Sequence, residues 1–286
     1  MSTQSSKGRI RRILHLDTPF DPDHAFVTSP FLSPLTLAVI RLTLALYTLV
    51  DVIVNISITA VRFSSSTDPS DKVSGFFSYF THLTYIGLIA YLWASGVQTL
   101  AYVRNKQKGY PLQRWPRTLQ YLHTLLYSSI TTYPILVTIV YWALLASPAT
   151  FNTTFHSWAS ISEHIFNTVF ALFEIFLTHG SPLPWIQVLF LDIMLAGYLG
   201  VAYVTHVTQG FYPYSFLDVG LHGKVVAAYI VGIAVAEVVI FIIVRYLMVL
   251  REKIARRRKA AHEPPATEQQ KEALDEWEEV TPEHIA

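Results

Sequence analysis

Long apolar runs separated by short polar stretches fill the middle of the chain. A helix needs roughly 20 residues at 1.5 Å each to cross a hydrocarbon core of about 30 Å. Six runs reach that length, at roughly 33–60, 76–102, 119–145, 158–178, 184–204 and 224–249. The pattern predicts an all-α fold, a polytopic membrane bundle of about six transmembrane helices. Residues 1–32 read as a polar N-terminal tail, 33–250 as the membrane domain and 251–286 as a basic-then-acidic, largely disordered tail. Trp115, Trp142, Trp158 and Trp185 fall at predicted helix ends, where an indole keeps its N–H near water. Polar residues and Pro19, Pro22 and Pro30 precede Phe31, so no cleaved signal peptide is expected and the first span serves as its own signal.

Composition agrees with this pattern. Of 286 residues 52% are hydrophobic and 14% charged, against roughly 25% charged in a soluble domain. Cysteine is absent, which excludes disulfides, thiolate metal sites and cysteine nucleophiles. The net charge of +1 says little, but its distribution orients the bundle. Lys7, Arg9, Arg11 and Arg12, then Arg104, Lys106, Lys108, Arg114 and Arg117, then Arg251, Lys253 and Arg256 to Lys259 all fall on one side. Lys and Arg accumulate on the cytoplasmic face, so both termini are expected there. Asn152-Thr153-Thr154 is a glycosylation sequon on the opposite side. The expected residence is the endoplasmic reticulum or another endomembrane.

Ionisable groups inside a span are expensive, so each is a pairing or functional hypothesis. By position in the spans, the non-cytoplasmic half holds Asp51, Asn55, Thr81, His82, Thr84, His164, Asn167 and His206. Thr84 and His164 both lie roughly 10 Å from that face, counting 1.5 Å per residue. A threonine hydroxyl becomes a nucleophile when a base takes its proton, and imidazole is the usual base. Taken alone, a membrane threonine more often bonds its own backbone and a histidine a neighbouring helix. Asn55, His82 and Asn167 are candidates by depth for an oxyanion donor; Asp51 is placed to orient His164 or to pair with His206. The other half holds Arg41, Glu174 and Asp192, read as a structural ion pair or triad, while Glu237 has no evident partner. No pattern points to a metal, a cofactor or nucleic acid; the lipid bilayer and a membrane lipid are the expected partners, and no protein partner is indicated. Two rival classes stay open: a haem-binding electron-transfer protein using His82 and His164, and a transporter or receptor-like protein without chemistry.

Three patches carry a family resemblance. Leu83-Thr84-Tyr85-Ile86-Gly87-Leu88 resembles a Leu-Thr motif early in the second helix. His164 followed ten residues later by Glu174 resembles a histidine helix. Tyr203 to Pro213, continuing to Phe216-Leu217-Asp218, is similar to a loop in which a threonine precedes an aromatic and then Tyr-Pro. Together they resemble the androgen-induced-gene family of multi-helix membrane hydrolases, over about residues 33 to 250. The resemblance implies cleavage of fatty acid esters of hydroxy fatty acids, with Thr84 as nucleophile and His164 as its base. Tyr79-Phe80-Thr81 offers a second register, in which Thr81 is the nucleophile, and Phe211 stands where the family usually has tryptophan.

Overall fold

A computed structural model describes residues 19–62, 67–69 and 72–262. Six helices in it are long and apolar enough to cross a membrane, and the described residues contain no strand. They are α1 (Pro34–Arg62), α2 (Phe80–Arg104), α3 (Arg117–Leu145), α4 (Thr154–Leu177), α5 (Ile186–Gln209) and α6 (Val225–His262). In α1 the buried positions Leu37, Arg41, Ala45, Thr48, Val52 and Asn55 recur every three or four residues, whereas Leu35, Val39, Leu46, Val50 and Ile53 are exposed. An exposed aliphatic stripe of that length suits lipid, not water.

Helices α1 and α2 pack along each other, α2 against α3, and α3 against α4. The other two helices pack more loosely: half of the apolar window of α2 and of α3 is buried (50%), but only 17% of that of α5 and 22% of that of α6. The loop 105–116 lies at the basic end of the bundle, and the segments 146–153 and 210–224 lie at the far end.

Three boundaries differ from the sequence pattern. The second span begins at Phe80, because a short helix, Val73–Phe76, ends and Tyr79 is extended (φ −91°, ψ 131°). Residues 19–33 are not a free polar tail: Phe26 and Val27 are buried, and the Phe26 carbonyl accepts from Arg41 Nη1 at 2.7 Å. Past 250, α6 continues to His262, with no Gly or Pro to stop it before Pro264. The expected disorder beyond that point, and the basic residues before 19, lie outside the described residues.

Near the basic end, the Arg41 guanidinium meets Glu174 in a fork, Nε to Oε1 at 2.8 Å and Nη2 to Oε2 at 2.7 Å. Both side chains are 0% exposed, and Thr99 Oγ1 and Tyr91 Oη complete their bonds. Of the expected ion pair or triad, the structure forms the pair, without Asp192. Asp192 instead lies on the loosely packed α5, and the buried Glu237 of α6 is neighboured by the Thr132 hydroxyl of α3, with Asp192 within electrostatic range.

Candidate active site at the far end of the bundle

The site begins with an irregularity in α4. Residues Ser162–Phe166 form a π-turn, and Ser162, Glu163 and His164 within it are all buried. A π-turn also releases backbone acceptors. The His164 carbonyl takes hydrogen bonds from Thr138 Oγ1 (2.7 Å) and Trp142 Nε1 (3.3 Å) of α3, and Thr168 Oγ1 donates to the Pro134 carbonyl at 2.9 Å. A second π-turn, Tyr141–Leu145, closes α3 opposite the first. Its Tyr141 ring stacks on the His164 imidazole, centroids 3.5 Å apart and 5° from parallel. Position and ring plane of His164 are thus fixed from both helices, while its Nδ1 carries no hydrogen bond among the described residues.

Glu163, adjacent to His164, joins three helices. It accepts from Asn55 Nδ2 of α1 at 2.8 Å, and its Oε2 lies 3.3 Å from His82 Nε2 of α2. The other His82 nitrogen, Nδ1, is 2.6 Å from the Phe76 carbonyl, and the ring stacks on Phe76 at 3.7 Å. A carbonyl only accepts, so Nδ1 carries the proton, and Nε2 and Glu163 hold one further proton between them. Asp51 lies beside Ser162, Tyr85 and Glu163. The buried side-chain amide of Asn167 has no hydrogen bond among the described residues. Unpaired buried polar groups are rare in a folded protein, so each one calls for an explanation.

An apolar, half-open pocket lies beside this cluster, between α2, α3, α5, α6 and the loop 210–224. Its wall includes Thr81, Leu136, Tyr141, Tyr198, Tyr214 and Ile233. Tyr141 therefore has one ring face against His164 and lines the cavity as well. Thr81, in the first turn of α2, supplies the aliphatic hydroxyl on that wall. Its Oγ1 and N–H lie 3.4 and 3.3 Å from Tyr214 Oη. Thr84 is not on the wall, and its hydroxyl donates back to the carbonyls of Phe80 (2.9 Å) and Thr81 (3.0 Å).

The expected site residues thus separate. Asp51, Asn55, His82 and His164 are gathered around Glu163, and Asn167 follows on the same helix, fully buried. His206 stacks on Tyr212 at 3.8 Å, so neither Asp51 nor His164 is its partner. Asn152 is exposed in the segment between α3 and α4. Sequence reasoning missed Glu163, although an acid inside a span next to a singled-out histidine carries the same signal as that histidine. It also missed Tyr141, Tyr198 and Tyr214, which no periodicity distinguishes from the sixteen tyrosines of the chain.

A family model described as FAR-17a/AIG1-like protein matches residues 45–250. Among curated proteins and solved structures, none matches the chain.

Proposed function

The chain belongs to the FAR-17a/AIG1-like family, and from that premise we propose that it is an intramembrane lipid ester hydrolase in which Thr81 is the nucleophile and His164 its base. The observation that carries the reading is the cavity: an apolar chamber suited to acyl chains, with the Thr81 hydroxyl on its wall and the His164 ring behind Tyr141. Thr84, the residue of the Leu-Thr motif, has its hydroxyl committed to its own helix, so the register with Thr81 is preferred. Thr81 attacks the ester carbonyl while its proton passes through water to His164, because the Tyr141 ring stands between the imidazole and the cavity. The alcohol leaves with that proton, and water then cleaves the acyl-enzyme. Fatty acid esters of hydroxy fatty acids are the proposed substrates. Glu163 and His82 form a polar cluster next to His164, with Asn55 bound to Glu163 and Asp51 beside it. With both termini cytoplasmic, the chemistry sits in the non-cytoplasmic half of an endomembrane such as the endoplasmic reticulum.

The test uses purified full-length protein in detergent and such an ester. Thr81→Ala and His164→Ala are expected to lose at least about 10³-fold in kcat/KM, while Thr84→Ala stays within about twofold. A dead Thr84→Ala with an active Thr81→Ala reverses the register. Failure of a fluorophosphonate probe to label the wild type, with no ester turnover, supports instead a membrane protein without chemistry. Glycosylation at Asn152 in cells supports the orientation, and modification of either terminus overturns it.

A further inference from the structure

Ester cleavage at Thr81 requires donors for the oxygen that becomes negative during attack. The residues suggested by depth do not supply them: Asn55 is bound to Glu163, His82 spends both nitrogens on Phe76 and Glu163, and Asn167 lies within α4 with 0% exposure. Tyr214 is different. It lines the cavity, and its hydroxyl is 3.4 Å from the Oγ1 of Thr81. The ring is held by stacking on Phe216 (5.2 Å, 7°) and by an edge contact with Tyr79 (5.8 Å, 75°). Its oxygen accepts the Thr81 backbone N–H at 3.3 Å, which leaves the phenol proton to point elsewhere. The acceptors in reach are Thr81 Oγ1 and Tyr198, whose own hydroxyl donates to the Ser78 carbonyl at 3.0 Å.

We propose that Tyr214 is a further catalytic residue, donating its hydroxyl hydrogen to the oxyanion formed when Thr81 attacks the ester; this rests on the reading of Thr81 as nucleophile. The Oγ1–carbon bond forms, the carbonyl π pair moves onto oxygen, and the Thr81 proton goes to His164. Tyr214 keeps its proton throughout and gives only a hydrogen bond. When the carbonyl re-forms, the alkoxy oxygen leaves with the proton from His164. The oxyanion is one bond from the carbon that Thr81 holds, so a phenol beside Oγ1 is well placed to reach it. Thr81 also stands in the first turn of α2, where backbone N–H groups have no partner within the helix; its own N–H is a second donor, freed when Tyr214 turns toward the oxyanion. Burial raises the Tyr214 phenol above its ordinary value, which keeps it a neutral donor at physiological pH.

Tyr214→Phe removes the donor and keeps the ring. In full-length protein in detergent it is expected to lower kcat about 10²-fold, with KM within about twofold. A lipid boronate, which forms a tetrahedral anionic adduct with Thr81, should bind the variant about 10²-fold more weakly, while an ether analogue of the ester binds both forms equally. Unchanged kcat and boronate affinity, with Thr81→Ala inactive, overturn the role of Tyr214 and leave the hydrolase reading standing. An active Thr81→Ala overturns both. Should Tyr214→Phe melt below the wild type, 3-fluorotyrosine at 214 keeps size and hydroxyl while making it a stronger donor: faster acylation supports the role, and an unchanged rate removes it.

Discussion

The two halves of the bundle both bury charge, but they treat it differently. At the basic end, Arg41 and Glu174 satisfy each other in a fork, and Thr99, Tyr91 and the Phe26 carbonyl take the remaining bonds. At the far end Asp51, Glu163, His82, His164 and Asn167 crowd together, and several of their polar atoms have no hydrogen bond among the described residues. A closed network of opposite charges fixes register and has nothing left to offer a ligand. An open one held by π-turns beside a cavity stores the desolvation cost of its groups, and a substrate can relieve part of it. Burial of charge alone therefore does not identify a membrane active site; unfinished hydrogen bonding next to space does.

Breaking each half should have opposite signatures. Arg41→Ala leaves Glu174 uncompensated and should cost about 3–5 kcal/mol, seen as a large fall in melting temperature and yield in detergent. Arg41→Met with Glu174→Leu should recover most of that stability, because an apolar pair avoids the desolvation cost. At the far end, Glu163→Gln should leave melting within about 1 kcal/mol of wild type but lower ester turnover roughly tenfold or more, the worth of one charge-assisted hydrogen bond. If Glu163→Gln unfolds the protein and Arg41→Ala does not, the contrast between the halves is wrong.

A third change tests how tightly the well-packed half is built. A Cβ on Gly96 of α2 would lie 2.8 Å from Leu42 Cδ2 and 2.9 Å from its Cγ, on the α1 face that carries Arg41. Gly96→Ala should therefore cost about 1–3 kcal/mol through overpacking. Gly197→Ala on the loosely packed α5, where the added carbon meets nothing within 4 Å, should be neutral or slightly stabilising through helix propensity. Melting curves of the two variants in one detergent would show whether packing really differs between α1–α2 and α5.

Six spans were legible because length and hydropathy are local properties, and the pairing of Arg41 with Glu174 followed from depth and opposite charge. What stayed hidden was made by distant contacts. The second span starts at Phe80 because Ser78 is captured from α5, its carbonyl by Tyr198 and its hydroxyl by Thr205 at 2.9 Å. That late start places Thr81 in the first turn of the helix, while Thr84, one turn further in, is not on the cavity wall, a distinction no apolar run reveals. Glu163 escaped notice because its partners, Asn55 and His82, come from two other helices, and nothing local announces those contacts or the π-turn that holds it. Asp192 was assigned by depth to the Arg41 pair, but depth does not say which helices touch.

The smallest effect concerns the segment that covers the basic end. Asp21 accepts from Tyr110 Oη at 2.5 Å and from the backbone N–H groups of Ala25 (2.7 Å) and Phe26 (3.1 Å), so it shapes the turn that inserts Phe26 into the bundle. Burial raises its carboxyl above the ordinary aspartate value, more than these bonds and the nearby His24 lower it. The sign follows from linkage: a group with a raised folded value binds its proton more tightly when docked, so its contribution is full in acid and is lost as pH rises through that folded value. Docking should therefore tighten as pH falls from neutrality toward the aspartate range. Protection of residues 19–33 from limited proteolysis or hydrogen exchange would report it, with Asp21→Asn as the reference, since Asn keeps the shape and does not titrate there. The wild type should gain protection relative to Asp21→Asn as the solution is acidified; equal slopes would mean that the carboxylate is solvated and that the segment is held by Phe26 and the Arg41 contact alone.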